Sequence, residues 1–238
     1  MKANNLYNYV NLVQKMIVYN LRIIFANRFI WFLAGSVIFY LGLSVIYVFD
    51  KDVSNMRDLY GVFLFSGALL VFYPTVFGIQ NDQDARTIEI LFGIPNYRYK
   101  VWLVRIALIY VVAFMIMLVF TFLSSVLIVK FPFVNMTAQV MIPVMFLGIM
   151  AFMLSTVVRN GNGTAVLMII FGLFFMILSD SLERNQWNVF LNPYEPPYNT
   201  NEATWAIIAF KNRIILVTGS VIFLLVALYN LQKREKFM

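Results

Sequence analysis

Two residue types are missing from this chain altogether, cysteine and histidine. Without cysteine there is no disulfide frame, no thiol nucleophile and no thiolate metal site. Without histidine the usual zinc ligand is gone, and so is the side chain that titrates near neutrality. Charge is scarce too: 12% of the 238 residues are Asp, Glu, Lys or Arg, where a soluble domain carries about a quarter. None of these charges falls deep within the long apolar runs, since Arg105, Arg159 and Asp180 stand at run ends. Ion-coupled carriers keep ionisable groups near the membrane midplane, so this pattern speaks against a proton- or sodium-driven carrier. There is no G-x-x-x-x-G-K-[ST] loop, no G-x-S-x-G elbow, no H-E-x-x-H and no C-x-x-C. A membrane-embedded enzyme needs a carboxylate pair or an activated nucleophile, and nothing is placed to supply one. If the protein moves cargo against a gradient, the energy enters through a partner.

What the chain has in abundance is apolar sequence, at 62% of its residues. Crossing the hydrocarbon takes about 20 apolar residues, and six uncharged runs meet that need. The expectation is an all-α membrane protein of six transmembrane helices, over 29–49, 59–79, 106–129, 138–158, 161–179 and 214–232. Pro74 is expected to kink the second span, and Gly161 and Gly163 in RNGNG to form a tight turn between the fourth and fifth. Residues 1–28 lack the layout of a cleavable signal. Val10, Val13, Ile17, Leu21 and Ile24 instead follow helical spacing among Lys15, Arg22 and other polar residues, which reads as an amphipathic helix in the membrane interface. The longest loop is expected at 180–213, with Trp205–Phe210 too short to span and read as an interfacial or re-entrant piece. Mild polar groups such as Ser36, Thr75, Thr121, Ser155 and Thr156 are expected to bond their own helix or a neighbour.

Lys and Arg counts orient such a bundle. With the N-terminus inside, twelve of the 18 basic residues and four of the 11 acids fall on inner segments. That leaves +8 inside and −1 outside, with both termini cytoplasmic in a multi-pass protein of a bacterial inner or plasma membrane. Lys211 and Arg213 sit on the wrong side for this rule; they either snorkel to headgroups or show that the sixth span starts elsewhere.

The longest polar interruption before the final loop is NDQDARTIEILFGIPNYRYKVWLVR, from Asn81 to Arg105. Ile88, Leu91 and Phe92 recur on one helical face, Asp82 and Asp84 suit a helix N-terminus, and Pro95 stops the pattern. On a lipid surface the polar face is usually basic. Here the first turns are acidic, which favours docking onto a protein partner, with Arg86 and Glu89 as flanking specificity charges.

This stretch resembles the segment between spans two and three of ABC-2 type transporter permeases, the membrane subunits of ATP-binding cassette transporters. Asp82, Asp84, Thr87, Ile90, Leu91, Pro95, Arg98 and Arg105 match the family's loose pattern. Arg86 stands where a Gly is usual and Arg105 where Lys is more common. The layout of interfacial helix, six spans, long outer loop and basic tail is also similar. The resemblance implies a permease, an exporter, that pairs with a second copy as a homodimer. It implies a cytoplasmic coupling helix, Thr87–Pro95, gripping a separate ATP-binding subunit, with Asp84, Arg86 and Glu89 on its rim and Ile88, Leu91 and Phe92 in the contact. No cofactor is expected in this chain, ATP being bound by the partner, and neither nucleic acid nor enzymatic activity is expected. With no GxxxG pair in the sequence, the contact between permeases is expected along spans two and five by analogy. The alternative is a channel or accessory membrane subunit using the same helix as an assembly clamp. The Phe- and Met-rich spans, with Phe114, Met115, Met117, Phe146, Met150, Phe152, Met153, Phe174, Phe175 and Met176, suit either a wall for bulky apolar cargo or ordinary lipid-facing and packing surface. The cargo itself stays open.

Overall fold

A long apolar segment in hydrocarbon can satisfy its own backbone only by coiling into a helix, and every regular element among the described residues is helical. The computed structural model describes residues 29–49, 55–84, 98–198 and 200–232. The interfacial helix expected over 1–28 lies outside them, as does the coupling stretch 85–97. Seven α-helices are described: α1 (Phe29–Phe49), α2 (Met56–Val76), α3 (Gly78–Asp84), α4 (Val104–Leu127), α5 (Phe133–Val158), α6 (Gly161–Ser181) and α7 (Glu202–Asn230), with a π-helical turn at Arg98–Leu103 leading into α4. Six stretches are long and apolar enough to cross a membrane, the second running unbroken in role from Met56 to Asp84. The first predicted span agrees residue for residue, and the second to fourth err by a few residues at their ends.

Two helices form the centre. In α2 and α5 the most apolar stretch is 67% and 61% buried, against 17% to 33% for the others. α5 packs against α7, α2, α4 and α6, and α1 rides on α2. Lipid tails are as apolar as leucine, so close packing and interhelical hydrogen bonds hold such a bundle together rather than water exclusion. At Gly148 an added Cβ would stand 2.4 Å from the Tyr110 hydroxyl oxygen. Only glycine lets α5 come this close to α4. Tyr40 Oη donates to the Phe120 carbonyl, Ser36 Oγ to the Ser66 carbonyl, and Thr121 shares a 2.7 Å hydrogen bond with Thr137. Thr75, Ser155 and Thr156 bond back to their own helices. Both roles expected of the mild polar residues therefore occur.

Pro74 lies inside α2, and the helix breaks three residues later at Phe77 before resuming as α3. Pro74 brings no N–H, so one carbonyl of the preceding turn loses its partner. The glycine turn expected at RNGNG is corrected. The connection is only Arg159 and Asn160, with Arg159 left-handed at φ 57°, and the glycines open α6. The Asn160 side chain accepts from the Gly163 N–H, which caps the new helix and frees the glycines from turn duty.

The final loop is also corrected. Trp205–Phe210 is no re-entrant piece: it belongs to α7, which starts at Glu202 under an Asn201 cap. At 1.5 Å per residue a 29-residue helix is about 43 Å long, more than the ~30 Å hydrocarbon requires. Lys211 is exposed, but Arg213 is buried within the bundle, so the early start of the helix, rather than snorkelling, explains this arginine. Asp82 and Arg105 are buried as well, so charges at the ends of the apolar runs face protein groups there. Residues 182–198 and 200–201 form an irregular strap across this end.

Tyr194 in the strap packs edge-on to Tyr60, and its buried hydroxyl has no hydrogen-bond partner among the described residues. Burial, helped by the neighbouring Tyr60 and opposed by Arg213, pushes its pKa up to about 12 from 10.0. The folded state holds this proton after the unfolded chain has released it, so stability is intact below pH 10 and falls as pH climbs towards 12. Tyr194→Phe is expected to leave the melting temperature at pH 8 unchanged or slightly raised, because the removed hydroxyl has no partner among the described residues. It is also expected to shrink the loss between pH 10 and 12, read by tryptophan-fluorescence melting in detergent.

Candidate functional site

The segment that the sequence singles out leaves α3 after Asp84 and returns at Arg98. Arg86, Thr87, Ile88, Glu89, Leu91, Phe92 and Pro95 lie outside the described residues; Asp84, exposed at the end of α3, is the one expected site residue that is described. What the structure builds is the root of that segment. Asp82 lies in α3, and Asp84 is the last described residue of that helix.

Asp82 is compensated by a cation from the neighbouring span. Arg105, near the start of α4, donates through Nη1 to the Asp82 carboxylate, and both side chains are buried. The guanidinium also lies over the Trp102 ring, 5.1 Å from its centroid, a stacked geometry that suits arginine better than lysine. Two further bonds tie α3 down. Asn81 Nδ2 donates to the Tyr73 hydroxyl at 3.0 Å, and the Gly161 N–H donates to Gln80 Oε1 at 2.5 Å. A Cβ at Gly161 would stand 2.3 Å from the Phe77 ring, so α6 begins with the residue that lets it touch the break in span two. One seven-residue helix is thereby fastened to α2, α4 and α6.

Sequence reading placed Asp82 and Arg105 in the right stretch but missed that they pair. No local pattern marks that pairing, nor the roles of Tyr73, Gln80 and Trp102.

A second feature is an apolar cleft of about 500 Å³ between α1, α2, α5 and α6, lined among others by Phe32, Phe65, Phe72, Met168, Leu173 and Met176. Its polar residue Thr75 already bonds its own helix, so the cleft offers shape and apolar surface only. Of the Phe and Met residues marked in the sequence, Met176 lines it. Met117, Met150 and Phe152 serve helix packing, and Met115 and Phe174 face outward. Among the described residues no group of three or more carboxylates could hold a metal ion.

These features define an all-helical, multi-pass membrane protein. No protein-family model matches the chain, and neither a curated protein nor a solved structure does.

Removing one partner of a buried ion pair leaves an uncompensated charge and costs about 3–5 kcal/mol, whereas replacing both with apolar residues is often close to neutral. Asp82→Ala is therefore expected to destabilise the folded protein by about that amount. The double variant Asp82→Leu with Arg105→Met is expected to recover most of it, as measured by denaturant unfolding in detergent.

Proposed function

We propose that this chain is the membrane permease of an ATP-driven transporter of the ABC-2 type, an exporter that works as a pair of copies. In this reading a separate ATP-binding subunit docks on residues 84–95, and the chain binds no nucleotide itself. The observation that carries it is the buried Asp82–Arg105 pair, which joins spans two and three at the root of the docking segment. A soft root would dissipate a push from outside. A charge-paired one that is also bonded to α2 and α6 passes displacement into three helices at once. The Lys and Arg distribution favours a cytoplasmic position for this root, and the apolar face of Ile88, Leu91 and Phe92 suits insertion into a partner's cleft.

The test is co-purification. A tagged wild-type chain expressed with its native partners is expected to retain ATP-hydrolysing activity. Leu91→Asp combined with Phe92→Asp is expected to cut the recovered activity at least tenfold, while the permease stays at wild-type yield and monodisperse. Undiminished recovery would overturn the docking assignment. An accessory clamp predicts association with no ATP-dependent movement. Single cysteines placed in the spans of this cysteine-free chain report that movement by their labelling rates.

A further inference from the structure

Beside the Asp82–Arg105 pair, walled by α2, α3, α4 and α5, lies a cavity of about 30 Å³. Pro74 lines it, so it sits where span two breaks. Thr75, Asn81, Asp82 and Arg105 give the wall its polar groups, and Gly78 and Phe152 help to close it. Arg105 is 6% exposed, and its Nε–H is buried with no hydrogen-bond partner among the described residues, although Nη1 of the same guanidinium holds Asp82. A buried donor without an acceptor is costly, and folded proteins satisfy nearly all such groups with another residue or with ordered water. Thr75 has the opposite need. Its hydroxyl proton is shared between the Val71 and Phe72 carbonyls, so towards a ligand this oxygen can only accept.

We propose that this cavity is a binding site for water, and that the bound water links Arg105 to the broken part of span two. Size sets the first limit. A buried water needs roughly 10–15 Å³ of such space and two to four polar partners, so a cavity of about 30 Å³ with this wall takes one or two molecules and nothing larger. Charge sets the second limit. An anion would meet the Asp82 carboxylate, and a cation would meet the Arg105 guanidinium. What fits is a small neutral molecule that accepts from Nε–H and donates to the Thr75 oxygen or to the Asp82 carboxylate, which offers about four acceptor positions. Water does both. The guanidinium is then held on three sides, by carboxylate, indole ring and water, and α2 joins the contact through Thr75. The site is independent of the transporter reading, because it depends on the cavity and its wall alone.

The experiment is radiolytic footprinting of the full-length protein in detergent. A brief X-ray pulse turns water into hydroxyl radicals where it stands, and peptide mass spectrometry reads which side chains are oxidised. Phe152 on the cavity wall and Phe63, which does not line it, are 3% and 0% exposed, so bulk solvent reaches neither. Phe152 is expected to be oxidised at least fivefold faster than Phe63. An added Cβ at Gly78 meets no atom within 4 Å, so Gly78→Ala takes up cavity space without moving a neighbour. It is expected to slow Phe152 at least threefold and to leave Phe63 unchanged. Thr75→Val, which keeps the shape and removes the acceptor, is expected to act the same way and carries the test if Gly78→Ala does not fold. The water site is overturned if Phe152 reacts no faster than Phe63, or if neither variant slows it.

Discussion

Hydrocarbon supplies no hydrogen-bond partners, and the whole architecture follows from that constraint. Each span must close its backbone bonds within itself, so the chain becomes a set of helices. The polar side chains then have two places to go: onto a neighbouring helix, or to the ends. Here the interior is joined by single hydroxyl contacts such as Thr121 to Thr137 and Tyr40 to the Phe120 carbonyl. These are modest bonds, averaging about 0.6 kcal/mol in membranes, and they leave shape complementarity around α2 and α5 as the main cohesive force.

The two ends of the bundle solve the problem of buried charge in opposite ways. At one end Arg105 meets a carboxylate and an indole ring, and the surrounding bonds fasten α3 to three other helices. At the other end Arg213 meets, among the described residues, amides, a phenol and a carbonyl. A compensated pair resists separation, because parting it strands two charges, whereas an arginine held by neutral dipoles keeps more of its desolvation cost. Between them the apolar cleft is bordered by α1 and α6, the two least buried helices.

Much of the fold was readable from runs of apolar residues. The first span was found to the residue because its ends are marked by charge, at Arg28 and Asp50. The last span was misplaced because Lys211 and Arg213 look like the edge of a run. In the folded protein Arg213 is supplied with acceptors from Gln139, Tyr60 and Leu191, residues 22 to 153 positions away. The turn between spans four and five was assigned to its glycines by local preference alone. Those glycines instead begin α6, where Gly161 admits the Phe77 ring.

The sequence by itself determined that six stretches are long and apolar enough to cross a membrane, and which stretch stands apart as polar, since both depend on composition within a short window. Tertiary structure decided which helices are central, that Asp82 belongs to Arg105, and that Arg213 sits inside the bundle with no carboxylate partner among the described residues. Those outcomes depend on partners brought together from distant parts of the chain, and the free energy of a buried charge is set by the groups around it rather than by its neighbours in sequence.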